Sequence, residues 1–363
     1  MTDRGAKERL KGLVLAGGKG TRLRPFTYTG AKQLVPLANK PILFYAIEQL
    51  VACGITEIGI VVGETKDQVI EAVGDGSHFG AQVTYIDQPT PLGIAHGIKI
   101  AEDFLGDTPF CLFLGDNFIQ GGIAPYVEQF RVGCHNSVVL LCAVERPQDF
   151  GVAELDGQRL VRVVEKPKDP PSNFAVIGIY FFDAKVHDAI RRIQPSARGE
   201  LEITDTIQRL IDDGLDVRAE VISGRWIDTG KHDDLLEANH LILEELEPAM
   251  LGRADESSKI QGRVVLQEGA EVIDSRIQGP AIIGERTRVV NSYIGPFTSI
   301  YHDCLISDTE ISGSVVLEQT CIEAVGHRIE HSLIGRNVEM RGHQRRPSGY
   351  TLILGDFSKL DVP

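Results

Sequence analysis

Gly12-Leu13-Val14-Leu15-Ala16-Gly17-Gly18-Lys19-Gly20-Thr21-Arg22-Leu23-Arg24-Pro25 decides how the first half of this chain is read. Gly12 to Leu15 make a short apolar run, the pattern of a buried strand. Glycines at 17, 18 and 20 then strip side chains from the following turn, and Arg22 and Arg24 set positive charge just beyond it. Bare backbone N–H groups beside cations suit the oxygens of a polyphosphate. A plain surface turn is also rich in glycine, so the loop alone leaves that reading open. The stretch is not G-x-x-x-x-G-K-[ST], and its glycine spacing does not fit G-x-G-x-x-G.

Outward from this loop, strand-like runs at 12–16, 57–62, 82–87, 109–115 and 137–145 alternate with helix-like segments at 41–53, 66–73, 93–104 and 123–132. That rhythm predicts an α/β fold with a Rossmann-like, mostly parallel sheet covered by helices. Ligands of such sheets sit beyond the C-terminal strand ends. Residues 150–182 carry shorter, alternating strands, expected as an insertion beside the sheet, and 231–246 read as an amphipathic closing helix. After Pro248 the helix signals stop. Apolar residues recur every five or six positions at Ile277, Ile283, Val289, Ile294, Ile300, Ile306, Ile311, Val316 and Ile322. A Ser-x-[Ile/Val] pattern recurs at Ser275, Ser292, Ser314 and Ser332. This hexapeptide-like step predicts a small parallel β-helix of about four coils. The expected organisation is a charged extension at 1–10, a first domain at 11–246, a linker at 247–258, the β-helix at 259–345 and a tail at 346–363.

A net charge of −14 and a pI near 5.2 imply no basic surface, so no nucleic-acid partner is expected. An anionic ligand must then be held by a few local cations. No apolar run approaches the roughly 20 residues of a membrane helix, and the charged start lacks a signal-peptide core. The six cysteines are scattered without C-x-x-C, which points to neither zinc nor a disulfide framework. A cytoplasmic, reduced protein is expected.

Several other segments carry possible chemistry. Lys32, shortly after the glycine loop, can reach the same phosphate oxygens, although a lone lysine there also suits a solvated surface. Phe110–Leu114 reads as a buried strand running into Gly115-Asp116-Asn117, and Trp226-Ile227-Asp228-Thr229-Gly230 repeats the pattern of apolar run, Asp and glycine turn. Two such carboxylates converging in one crevice would hold Mg²⁺, a hard cation that bridges to substrate phosphates. Asp116 would equally serve as a loop cap. Glu165 and Lys166 end a strand at Pro167. Adjacent strand residues face opposite ways unless the strand bends there. Gly199 to Asp205 is acid-rich, which a helix N-terminus alone would explain. Gln88 and Gly93 follow another strand, where a side-chain amide can read a base edge. No G-x-S-x-G, Cys–His motif or H-E-x-x-H is present. Phosphoryl-type transfer needs no such nucleophile, only positioning and charge neutralisation.

Together these segments resemble the sugar nucleotidyltransferase family over about 11–245. The glycine loop matches the family in general. Lys32-Gln33-Leu34, Leu114-Gly115-Asp116-Asn117, Glu165-Lys166-Pro167, Gly199-Glu200-Leu201-Glu202-Ile203-Thr204-Asp205 and Trp226-Ile227-Asp228-Thr229-Gly230 resemble its thymidylyl branch. The resemblance implies the nucleotidyltransferase fold and a reaction of dTTP with α-D-glucose 1-phosphate, giving dTDP-glucose and pyrophosphate. It implies catalytic roles for Arg22 and Lys32 on the triphosphate. It assigns nucleotide binding to Leu15, Ala16, Gly17, Gly18, Gln33, Gln88 and Gly93. Sugar binding goes to Asn117, Gly151, Glu165 and Val176, with Lys166 on the sugar phosphate, and Mg²⁺ binding to Asp116 and Asp228. Phe150 stands where many members carry Tyr. The repeat region resembles the left-handed β-helix of long-form members and is expected to mediate contact between copies of the chain. Some relatives use such a domain for acetyl transfer. His302, His327 and His331 invite that idea, but no acyl-CoA pattern accompanies them. UTP, another hexose 1-phosphate, or a catalytically silent subunit on the same fold are the alternatives.

Overall fold

The computed structural model describes residues 9–18, 20–342, 352 and 354–361. Lys19, most of the N-terminal extension and much of the tail lie outside them. The chain divides into two compact units: Met1–Lys19, Ala31–Leu34 and Ile42–Asp228 form the first, and Gly20–Gly30, Val35–Pro41 and Thr229–Pro363 the second.

The first unit is built on a nine-stranded sheet. Its strands are β1 (Lys11–Leu15), β2 (Glu57–Val62), β3 (Gln82–Asp87), β4 (Phe110–Leu114), β5 (Ser137–Ala143), β6 (Gly151–Asp156), β7 (Arg159–Glu165), β8 (Phe174–Phe182) and β9 (Val217–Val221). Their order is β3-β2-β1-β4-β8-β5-β9-β7-β6. Strands β3, β2, β1 and β4 pair in parallel, as do β5 and β9. Strand β8 runs antiparallel to both of its neighbours, β4 and β5.

The strands of 150–182 are therefore not an insertion beside the sheet, and β8 lies at its centre. Phe174-Ala-Val-Ile-Gly-Ile-Tyr-Phe-Phe182 is almost wholly buried, so it needs cover on both faces and takes an interior position. Helices α1 (Ile42–Ala52), α2 (Lys66–Val73), α3 (Ile94–Ile100), α4 (Glu102–Leu105), α5 (Ala124–Val132), α6 (Lys185–Arg192) and α7 (Ile203–Asp212) accompany the sheet. In α1 the spacing of Ile42, Leu43, Ala46, Ile47 and Leu50 makes one stripe, and all five are buried. Two cores result, one around Val14, Phe113 and Phe181, the other around Leu13, Phe110 and Phe182. The alternation Leu13 to Val14 sends neighbouring side chains to opposite faces of the sheet.

The second unit holds α8 (His232–Glu244) and a parallel β-helix made of three stacked sheets of six, six and five short strands. It begins at Ala249–Met250, inside the stretch expected as a linker. Register partners such as Val264 and Ala281, or Arg276 and Tyr293, lie one coil apart. At one strand per sheet in each coil, the 17 strands of these sheets make between five and six coils, more than the four or so that the sequence repeat predicts. All nine apolar residues of that repeat are fully buried. The Ser-x-[Ile/Val] motif has a partner role: Ser292 Oγ accepts the N–H of Thr309 at 3.2 Å, and Ser275 Oγ accepts the N–H of Ser292 at 3.0 Å. Asp274, Asn291 and Asp308 turn one corner of successive coils at φ between +43° and +49°, a region that Asn and Asp tolerate best after glycine.

Segments from the N-terminal half also belong to this second unit. Asn39 Nδ2 donates to Ile300 O at 2.8 Å. Asn239 Oδ1 accepts both the Ala38 N–H at 2.8 Å and the Ser299 hydroxyl at 2.7 Å. Ala38, Leu243, Val265 and Ile282 close a small core around them.

Candidate active site

One group of the sequence-derived site residues lies just beyond the C-terminal ends of parallel strands. Ala16 follows β1, Gln88 follows β3 and Asp116 lies two residues past β4. Ala16 is buried, its N–H held by Val61 O at 2.8 Å, and Leu15 O accepts the Gly115 N–H at 3.0 Å. A methyl on Gly17 would come within 2.9 Å of Gln88 Oε1, and one at Gly63 within 2.8 Å of Gly17 O. The glycines of the first loop thus permit a close backbone crossing. A methyl at Gly18 would face Gln33 Nε2 at 3.4 Å. Gln33 is 2% exposed, and its Oε1 is buried without a partner among the described residues. Gly93 takes φ +102° and lies against Leu201 O, so 199–202 packs against the start of α3.

The second group centres on Lys32, which is 6% exposed. Its ammonium pairs with Asp116 Oδ2 and lies 3.8 Å from Asp228 Oδ1. A two-stranded ladder explains the convergence: Asn117–Ile119 runs antiparallel to Trp226–Asp228, with Asp228 opposite Asn117. Asn117 Nδ2 donates to Asp116 Oδ1 at 3.1 Å, while its Oδ1 accepts Trp226 Nε1 at 2.7 Å. Two hard-oxygen carboxylates within reach of one ammonium form a donor set that Mg²⁺ takes together with substrate phosphates. Among the described residues no group of three or more His, Cys, Asp or Glu forms an all-protein cage.

The third group joins Gly151, Glu165 and Val176. Gly151 pairs with Glu165 across β6 and β7. A methyl on Gly151 would lie 2.6 Å from Thr204 Cγ2, 3.4 Å from Glu165 Oε2 and 3.8 Å from Val176 Cβ. Glu165 Oε2 accepts the Thr204 hydroxyl at 3.1 Å, and Oε1 accepts Arg198 Nη2 at 3.0 Å. Arg198 also binds both oxygens of the buried Glu202 at 2.9 Å. Burial, then the charge of Glu202, pushes the Glu165 carboxyl above its usual pKa, and Arg198, Lys166 and Thr204 only partly offset this. Lys166 takes φ +41° just past β7, so the strand does bend there, and its ammonium comes within 4.0 Å of Glu165 Oε1. Phe150 meets the Trp226 ring edge-on at 5.5 Å, tying this group to the Asp228 ladder.

Arg22 lies on a short 3₁₀ turn in the second unit, its guanidinium beside Gly230. Sequence reasoning missed Arg198, His96, Gly63 and the supporting role of Thr204. The signal for Arg198 was available: a cation directly ahead of the acid-rich run that opens α7.

Residues 11–245 match the nucleotidyl transferase family model, and the chain belongs to that family. It is 51% identical over 354 residues to the glucose-1-phosphate thymidylyltransferase of Streptomyces griseus, covering 97% of this chain and 99% of that protein. It is 42% identical to the low-salt glycan biosynthesis nucleotidyltransferase Agl11 of Haloferax volcanii, across 97% of this chain and 100% of that one. A Bacillus anthracis chain described as a glucose-1-phosphate thymidylyltransferase and crystallised with sucrose aligns with a TM-score of 0.61 and 40% identity. That alignment spans 64% of this chain and 94% of the other.

Proposed function

We infer that this chain transfers a nucleotidyl group from dTTP to α-D-glucose 1-phosphate, releasing pyrophosphate and giving dTDP-glucose. The carrying observation is the buried Lys32 set between Asp116 and Asp228 at the strand ends. Two full-length relatives bearing the thymidylyltransferase name support the substrate pair.

In this reading Leu15, Ala16, Gly17 and Gly18 pass the nucleotide along bare backbone, with Gln33, Gln88 and Gly93 on its base side. Lys32 neutralises charge on the triphosphate as pyrophosphate leaves. Arg22, five residues after Gly17, is assigned the same task from sequence. Asn117, Gly151, Glu165 and Val176 receive the sugar, the Glu165 carboxylate accepting from its hydroxyls. Lys166 holds the sugar phosphate, which attacks the α-phosphorus in line. A phosphate is already mostly dianionic at neutral pH, with its second pKa at about 6, so no general base is required. Asp116 and Asp228 would hold Mg²⁺, which when bound neutralises phosphate charge. Six free cysteines, together with the charge pattern, support a reducing, cytoplasmic setting. Among the described residues no helix is long and apolar enough to cross a membrane.

Pyrophosphate release measured with dTTP, UTP and dCTP against glucose 1-phosphate tests the pairing. The expected result is highest kcat/KM with dTTP, and a clear preference for UTP would replace thymidylyl by uridylyl transfer. Lys32→Ala and Asp116→Ala should each lower kcat by about 10²–10³, the usual loss for one group that stabilises developing charge. Near-normal turnover in both variants would overturn the assignment.

A further inference from the structure

A glutamine side chain offers two nearly isosteric edges, a carbonyl oxygen that accepts and an NH₂ that donates. Shape does not choose between them. The hydrogen-bonding partner does.

Gln88 is 8% exposed, and its backbone N–H is fixed to Val62 O at 2.7 Å. Its Nε2 lies 2.9 Å from Nδ1 of His96 on α3. Its Oε1 lies on the other side, 2.9 Å from where a methyl on Gly17 would sit. The donor edge therefore faces the imidazole, and the acceptor edge faces the glycine loop. For Nε2 to donate, His96 Nδ1 must carry a lone pair. Burial, then the charge of Lys99, holds the His96 pKa below its usual value, so the ring is neutral, and the tautomer protonated on its own Nε2 leaves Nδ1 free to accept from Gln88.

The second amide of the loop, Gln33, has no partner that fixes its orientation, since its Oε1 is buried without one among the described residues. Gln33 Nε2 lies on the Gly18 side, 3.4 Å from a methyl there. Set opposite N3 of a pyrimidine, the Gln88 acceptor at Gly17 complements a ring that carries hydrogen there. Thymine and uracil have that hydrogen on N3. Cytosine has a lone pair on N3 and an amino group at C4.

We propose that His96 is a positioning residue for base choice: by accepting a hydrogen bond from Gln88 Nε2 it turns the Gln88 carbonyl toward the nucleotide loop, so the site takes a pyrimidine with hydrogen on N3 over cytosine. The proposal rests on the reading that a nucleotide lies along this loop. It names the group that sets base preference there.

The test compares kcat/KM for dTTP and dCTP, each with glucose 1-phosphate and Mg²⁺, in the full-length wild type, His96→Leu, His96→Gln and Gln88→Ala. Where dCTP turnover is too slow to follow, its inhibition constant against dTTP gives the same ratio. His96→Leu has no acceptor and lets the Gln88 amide flip. It should lower the dTTP:dCTP ratio about five- to tenfold, the worth of one hydrogen bond. His96→Gln, whose own carbonyl can accept from Nε2, should keep the ratio near wild type. An unchanged ratio in His96→Leu overturns the proposal. So does an equal fall in His96→Gln, because lost packing rather than lost orientation would then explain it. Gln88→Ala separates the two levels. If it leaves the ratio at the wild-type value, the base site itself has been misplaced, whatever His96 does.

Discussion

Glu165 meets opposed demands. Its carboxyl is crowded by Glu202 and buried beside Thr204, which raises its pKa, whereas the role proposed for it, accepting from sugar hydroxyls, is served best by the ionised form. As pH falls, Glu165 takes up its proton earlier than an ordinary glutamate at about 4.3. The acid limb of kcat/KM for glucose 1-phosphate should therefore lie above the ordinary carboxylate range, and Arg198→Met, which removes a lowering charge, should move it higher still. The stability effect has the reverse sense. A raised folded-state pKa means the folded chain binds the proton more tightly than the unfolded one, so Glu165 costs stability as pH rises through that pKa. Glu165→Gln should thus lose activity while its Tm at pH 7 stays level or rises, and a lower Tm would contradict this account. How far sequence reaches at this scale is clear from the neighbouring residue. Strand alternation sets Glu165 and Lys166 on opposite faces, and Pro167 marks an ending, but only the backbone turn at Lys166 brings both charges to one side. Arg198 stands in the sequence just ahead of the acid-rich run, but its place beside Glu165 does not show there. Its partners Glu165 and Glu202 come from different elements, and only the tertiary fold joins them.

Among the elements, those with a strong local period were legible and those defined by long-range pairing were not. Strands β1 to β4 and the helices between them follow from apolar spacing alone. The interior place of β8 does not, because a buried run reads alike in an insertion and in a central strand. In the β-helix the repeat fixes the inward residues, while the hydroxyl ladder appears only once coils stack. Ser292 donates its hydroxyl to Val290 O at 2.7 Å and receives the Thr309 N–H. Ser292→Ala should cost about 1 kcal/mol, the net worth of such a bond, whereas Ile294→Ala, beside it in the core, should cost about 2–5 kcal/mol. Urea unfolding with an unchanged m-value distinguishes these from a change in cooperativity. Equal losses in the two variants would show that the ladder matters as much as the core.

For the whole molecule, the path of the chain matters more than its boundaries. Membership of the two units alternates along the chain: Gly20–Gly30 and Val35–Pro41 belong with the β-helix, and Ala31–Leu34 between them belongs with the sheet. Composition and repeats divide the chain linearly near 246, and nothing in local sequence marks short N-terminal segments as members of a distant unit. A chain ended after Leu246 would lose the Ile300 carbonyl that holds Asn39 and the Ser299 hydroxyl that holds Asn239. The segment following Lys32 would be left without those anchors. Such a truncation should melt at a lower temperature and turn over about tenfold more slowly or worse, since small misplacements at a site are costly. Full activity in the truncated chain would show that these anchors are dispensable.

The bonds of Asn39 and Asn239 also bear on how such a protein can be rebuilt. Coils can be lost or gained at the far end of the β-helix without touching them, because Ile300 and Ser299 sit on a middle strand. Replacing the β-helix by an unrelated module is a different operation. The newcomer would have to present a carbonyl and a hydroxyl at matching positions, or residues 35–41 would have to be rewritten with it. The repeat can be trimmed, but it is not a detachable cassette.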